Sequence, residues 1–175
     1  MCNLASAVSL DCRENSGGVR VIYIRSLTGG TMTMTATSGA ITSFTADSTT
    51  YSATTGLTTA PFYKIEVPKQ TAVLTETGTF SDENGTAFFT QTLSIPVNKL
   101  DSTKQVILEQ LAKSERLAVV VEDNNGSRWI LGNTLGAIAI SSTGGTGTSF
   151  GDRNGWVIEL QALSTSPMYE VNFAS

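Results

Sequence analysis

Apolar and polar positions alternate with a period of two in several stretches of this chain, the spacing of strands that turn one face to a core and one to water. Residues 18–25 open the series. Val19, Val21, Ile22, Tyr23 and Ile24 follow a Gly17-Gly18 breaker and predict a first strand. In 62–67, Tyr63, Ile65 and Val67 fall on one side and Lys64 and Glu66 on the other, and Pro68 ends the run or places it near an edge. Residues 70–80 predict another strand, and 81–85 turn the chain, with Asn84-Gly85 supplying the positive φ angles. The long run 86–97 sets Phe89, Leu93, Ile95 and Val97 on one face, with Gln91 as a polar exception. Phe88, Thr90, Thr92 and Ser94 occupy the other face. One helix interrupts the rhythm: Val106, Ile107, Leu108 and Leu111 recur at three and four residues. Asp101 or Ser102 can cap it, and Ser102-x-x-Gln105 fits a capping box. At about ten residues it cannot stand alone and must pack on the sheet. Residues 117–121 are continuously apolar, as a strand covered on both faces requires. A turn at 122–126 and a return over 127–131 make a hairpin, 135–142 and 156–162 predict further strands, and 167–173 either pairs at an edge or stays loose.

Residues 26–61 stand apart. These 36 residues carry a single charge, Asp47, and consist mostly of Thr, Ser, Gly and Ala. Thr31-Met32-Thr33-Met34-Thr35 keeps the period of two, while Ile41, Phe44 and Tyr51 are scattered anchors. Two readings fit: a flexible low-complexity surface loop, or a projecting β-arm ordered by packing on a neighbouring subunit. A structureless loop of this length is uncommon in a compact domain, and charges are depleted at interface cores. The arm is therefore the expectation, with Met32, Met34, Phe44 and Tyr51 as its contact side chains. Removing 31–58 would then leave a folded subunit that does not polymerise.

Composition sharpens the picture. The 175 residues include 26 Thr and 19 Ser against 15% charged residues, so the chain is β-prone, charge-poor and long enough for one domain spanning 1–175. There is no His, which removes Ser-His-Asp and Cys-His systems and His-ligated metals. With 11 Lys+Arg against 15 Asp+Glu the net charge is −4, so no overall basic character holds a phosphate backbone. No apolar run reaches the ~20 residues that span a bilayer. Residues 1–12 lack a signal peptide's charged and apolar regions, so the chain is expected to be made in a cytoplasm without the usual export. Cys2 and Cys12 could bridge, but two free thiols in a reducing compartment are expected.

Candidate chemistry is thin. The Gly/Thr run 144–155 lacks the Gly-Lys-Ser/Thr ending of a phosphate loop and leads into a strand, so a turn is expected there, with Asp152 and Arg153 pairing locally or across a subunit boundary. Asp82-Glu83-Asn84-Gly85 and Asp123-Asn124-Asn125-Gly126 lack the spacing and closing Glu of a calcium loop and read as hairpin turns. The acids mark no catalytic pair. Trp129 and Trp156 could stack sugars or bases, although their aliphatic neighbours favour a core or interface.

Several segments taken in order, 10–24, Phe62-Tyr63, 81–93, Leu111-Ala112-Lys113, 119–132 and 146–156, resemble a structural protein family of tailed phages infecting Bacteroidetes-type hosts, the tail tube proteins. Residues 26–61 match nothing in it. The resemblance implies a β-sandwich or partly closed β-barrel flanked by one short α-helix, here with a long Thr-rich β-arm or loop. It implies six copies per ring, rings stacked into a tube that conducts DNA, and no catalytic residue or cofactor. The partners it implies are further copies of the chain, other tail proteins and DNA in transit, with no membrane, in a virion assembled in the host cytoplasm. Head-completion and baseplate components share this architecture. A carbohydrate-binding β-sandwich using Trp129 and Trp156 is the alternative from another class, and a carboxylate enzyme comes third. In a tube, Lys64, Glu66, Thr90, Thr92 and Ser94 are the expected lumen residues, because a strand with one apolar and one Thr/Ser face suits a wall between core and water. A charge of −4 per copy gives about −24 in a ring of six, so an acidic or neutral lumen is expected. Arg20, Arg25, Arg116 and Arg153 are then directed toward subunit contacts.

Overall fold

Two strands that are apolar on both faces, one near each end of the first two-thirds of the chain, organise the fold. The computed structural model describes residues 15–28, 32–37, 40–47, 49–52, 57 and 62–171. Cys2, Cys12 and the start of the 10–24 segment lie outside the described residues. In chain order the elements are β1 (Val19–Ser26), β2 (Met32–Thr37), β3 (Ala40–Ala46), β4 (Thr49–Ser52), β5 (Tyr63–Glu66), β6 (Val73–Ser81), β7 (Thr86–Asn98), α1 (Ser102–Lys113), β8 (Leu117–Asp123), β9 (Arg128–Leu131), β10 (Ala137–Gly145), β11 (Gly155–Ser164) and β12 (Tyr169–Val171). The protein is mostly β with one helix, in a large mixed sheet that does not close.

The sheet has two halves. In the first, β5 pairs with β1, β1 with β8, β8 with β9 and β9 with β12. From β12 the ladder passes in parallel to β3, which also pairs with β2 and β4. The second half is β10-β11-β7-β6, every neighbour antiparallel. One backbone pair, Leu117 opposite Ala137, joins the halves.

β1 and β8 sit at the centre. Leu117, Val119 and Val121, with Ile22 and Ile24, face Leu93, Ile95, Ile158 and Leu160 of the second half in one core. On the other face Ala118 and Val120, with Val21 and Tyr23, meet Met32, Ile41, Phe44, Tyr51 and Phe62 in a second core. The continuous apolar run of β8 is thus buried on both sides, as its pattern predicts.

The second core corrects the arm expectation. Met32, Phe44 and Tyr51 are almost wholly buried in their own chain, and Met34 packs partly against them. Phe44 stacks on Tyr51 at 5.1 Å between ring centres, and Phe62 meets both edge-on. The described part of 26–61 therefore folds back as a cover for β1 and β8. The physical reason is proximity: an uncharged segment with period-two anchors satisfies the nearest uncovered apolar face. Its lone charge is used within the chain. Asp47 lies 3.7 Å from the buried Arg25 and accepts from the Thr28 N–H, and Arg25 donates to the Tyr51 hydroxyl at 2.7 Å. Arg25 is thus spent internally, not at a subunit contact.

A polar knot ties the second half to its surroundings. Gln91 is fully buried, donates to Glu76 at 2.9 Å and accepts from the Gly132 N–H at 2.7 Å. Glu76 also accepts from the Met168 N–H. Gly132 (φ 72°) cannot be replaced freely, because a Cβ there would lie 2.2 Å from the Gly136 carbonyl oxygen. The helix is capped by Asp101, whose carboxylate accepts from the Thr103 N–H, rather than by a Ser102 capping box. Of its predicted stripe only Leu108 and Leu111 reach the core, while Val106 and Ile107 stay exposed.

Two stability outcomes follow. Phe44→Ala should lower unfolding free energy by about 3–5 kcal/mol in urea titration, the cost of a large core truncation, whereas a contact reserved for a neighbouring subunit would leave the monomer unaffected. Gln91→Leu should cost about 1–3 kcal/mol by stranding the Gly132 N–H and Glu76.

Candidate assembly surface

The second half turns one face to core one and the other to solvent. Because Leu93, Ile95 and Leu160 point inward, alternation sends Thr90, Thr92 and Ser94 outward. Cross-strand register places Thr75 and Thr77 of β6 and Glu159 and Gln161 of β11 on the same outer face. Ser141 and Thr143 of β10 continue it. Glu159 is the one charged side chain that this face takes from its four strands, and it accepts from the Ser141 hydroxyl at 2.9 Å. Val73, Phe88, Ile138 and Leu163 lie exposed among the threonines.

Neither border of this half is closed by a further strand among the described residues, although α1 packs beside β10. β6 pairs with β7 on one side only, and β10 meets β8 solely at Ala137, so Ile138–Gly145 has no partner on its outer edge among the described residues. The two hairpins extend in opposite directions along the strands. The β6–β7 turn lies beyond the end of β11, where Ser164 meets Phe89, whereas the β10–β11 loop starts where Gly155 meets Asn98. Phe80 is 68% exposed, rests edge-on against Phe89 and lies over Gly78.

The candidate residues divide as follows. Thr90, Thr92 and Ser94 share the outer face, but Lys64 and Glu66 do not. They stand on β5, opposite Tyr23 and Val21, on the side of the first half that carries the second core. A single wall cannot present all five, which corrects that grouping. Alternation fixes which residues share a side within a strand but not which half of the sheet the strand joins. Lys64 and Glu66 pair at 2.9 Å at the surface, and this hydrogen bond raises the lysine's pKa and lowers the glutamate's.

Asp152 is used locally. Its carboxylate accepts from the N–H groups of Ser149 and Thr148 and from the Thr148 hydroxyl, which together hold its pKa below the usual aspartate value. Arg153 is exposed and makes no ion pair among the described residues. Arg20 reaches the buried Glu122, which Arg128 also pairs with at 2.9 Å.

Trp129 and Trp156 do not form a common platform. Trp129, on β9, donates to Asp123 at 3.4 Å and lines a cleft of about 500 Å³ that Trp156 does not reach. Trp156 stands on β11, packed across Gly144. The carboxylates of that cleft are bonded to their own chain, Glu76 as described and Asp123 to the N–H groups of Asn125 and Ser127. The two acidic turns are hairpin turns, as their sequences predict.

The architecture is thus that of a mostly β protein with one helix, a doubly covered central pair of strands and an open outer face. No family model matches the chain, and no curated protein matches it. Among solved structures it is distantly similar to a component of the anti-feeding prophage baseplate, seen in a six-fold symmetrised cryo-EM structure. That match is 9% identical, covers 91% of this chain and 97% of the other, and has a TM-score of 0.32.

The Asp152 loop makes a pH prediction. A carboxyl whose pKa is lowered by folding contributes order that is complete above the ordinary aspartate range and is lost as pH falls through the lowered value. The Thr148 and Ser149 amide proton shifts should therefore titrate together below the usual aspartate pKa, and Asp152→Ala should abolish that titration while leaving the β7–β11 amides unmoved.

Proposed function

We propose that this chain is a non-enzymatic structural subunit of a phage-tail-like particle, and in particular the subunit whose rings stack into a DNA-conducting tube. One observation carries the reading: a four-stranded, nearly uncharged half-sheet whose two edge strands lack a further strand partner along most of their length among the described residues. Its strands alternate in direction, so β10 and β6 run opposite ways. The free edge of β6 in one copy can therefore pair antiparallel with the free edge of β10 in the next and continue the sheet without a break. Such a contact is heterologous, and it closes into a ring when the rotation per copy divides the circle. Closure removes the open edges that would otherwise recruit strands indiscriminately. The resemblance to tail tube proteins supports six copies, which with four strands each give a wall of about 24 strands.

In that wall the outer face becomes the lumen. Thr75, Thr77, Thr90, Thr92, Ser94 and Gln161 offer hydroxyls and an amide to water, and Glu159 adds one acid per copy. DNA affinity comes chiefly from cations that displace counterions at phosphates, so a lining with no Lys or Arg lets the duplex slide. Lys64 and Glu66 then belong to the outside of the wall.

Size-exclusion chromatography with negative-stain imaging tests assembly directly: rings or tubes are expected, and a monomer at tens of micromolar would end the proposal. Charges on the free edges, Thr77→Lys with Thr143→Lys, should leave a folded monomer by circular dichroism and remove the rings. In assembled particles Glu159→Lys should slow DNA release, with the delay relieved by added salt; equal rates at low salt would take the electrostatic account away and leave the geometry.

A further inference from the structure

The ends of β7 carry opposite charge and matching apolar surface. At the β6–β7 turn Asp82 and Glu83 are exposed with no ion pair among the described residues, and neither strand supplies a cation along 70–98. Immediately behind them Phe80, exposed and propped on Phe89, makes an apolar pad. At the other end a cleft of about 390 Å³ opens between α1, β5 and β7, floored by Pro96, Val97, Ile107, Leu108 and Leu111. Its charged lining is the Lys64–Glu66 ion pair and Lys104, whose ammonium donates to the Asn98 carbonyl, and the exposed Lys99 lies next to Lys104. Arg153 adjoins through Asn154, whose carbonyl accepts from the Lys99 N–H at 2.6 Å. The acids at this end are occupied, Asp101 by the helix N-terminus, Asp152 by its own loop and Glu66, on the cleft lining, by Lys64. Lys99 and Arg153 are left to face outward.

We propose that the acidic, Phe-backed β6–β7 turn of one copy docks on the basic, apolar-floored cleft at the α1 end of another copy, and that this contact stacks one ring on the next. It rests on the assembly reading above but uses a different surface from the open edges. A chain cannot fill its own cleft. Ala87 and Val97 are ten residues apart on one strand, about 33 Å at the strand rise, and a hydrogen-bonded strand does not fold back on itself. The donor surface and the receiving surface differ, so the contact is heterologous and repeats by translation, giving a polar stack and not a closed pair. Phe80 supplies what the cleft floor lacks, an apolar cover. Asp82 and Glu83 meet Lys99 and Arg153, and the charge pairing sets which end accepts which.

The test uses two full-length variants, Asp82→Lys/Glu83→Lys and Lys99→Glu/Arg153→Glu, each checked for unchanged circular dichroism and thermal midpoint. Alone, each variant juxtaposes like charges at every stacking contact, so each should form rings that fail to stack, with the critical concentration for stacking raised about tenfold or more as the pairs compound around a ring. Mixed in equal amounts, the basic turn of one finds the acidic cleft of the other, and alternating stacks should return in electron micrographs. Stacking of the unaltered protein should weaken as salt rises from about 0.05 to 0.5 M. Variants that stack alone like the unaltered chain, or rings of the two variants that stay apart when mixed, overturn this contact while leaving ring assembly intact. Absence of rings from the unaltered protein overturns the assembly reading, and this contact with it.

Discussion

The fold depends on a strand that cannot tolerate water on either side. β8 places Leu117, Val119 and Val121 on one face and Ala118 and Val120 on the other, and every one of them is fully buried. Burying a large aliphatic side chain is worth roughly 1.5–3 kcal/mol, so leaving either face open would forfeit several such terms at once. Two covers are needed, and the chain draws them from different places. The antiparallel half β10-β11-β7-β6 covers one face, while the Thr-rich segment before β5 supplies Met32, Phe44 and Tyr51 for the other. Both covers are thin. Each uses alternate residues of strands whose remaining residues face outward largely as Thr and Ser, which explains how so hydroxyl-rich a chain builds two cores.

Much of this arrangement is legible as pattern. The strands of β1 and β7, the helix after Asp101, the hairpin turn at Asn84-Gly85 and the double burial of β8 follow from period, caps and turn residues. The Thr/Ser face of β7 is legible too, because Leu93 and Ile95 settle which side is inward. The destination of 26–61 is not. Low charge is equally the mark of a surface awaiting a neighbour and of a segment lying on its own core, and local pattern does not tell these apart. A usable signal was present nonetheless. Arg25 directly follows the apolar run 21–24 and Asp47 is the one charge in residues 26–61, and a cation and an anion in apolar surroundings are each costly unless paired.

The grouping of Lys64 and Glu66 with Thr90, Thr92 and Ser94 failed for a related reason. Each strand alternates, but β5 pairs with β1 and β7 with β11, so their polar sides look away from one another across two layers. Long-range pairing decides this, and no residue of β5 or β7 encodes it locally. Gln91 is the opposite case. A polar residue in an inward series stands out in the sequence, and the structure shows its reason, since it bonds β7 to both Glu76 of the neighbouring strand and the turn at Gly132.

The single backbone pair between Leu117 and Ala137 has a mechanical consequence. Apart from the bonds that Gln91 and Glu76 make to the Gly132 and Met168 N–H groups, the two halves are held together by apolar side-chain packing, which tolerates small sliding, and not by a ladder of directional hydrogen bonds, which does not. Load applied along the second half would therefore shear across core one before it broke a strand pair. A wall made of such units could flex at every subunit while its inner surface stayed continuous, so compliance would reside in the seam between halves and integrity in the ladder.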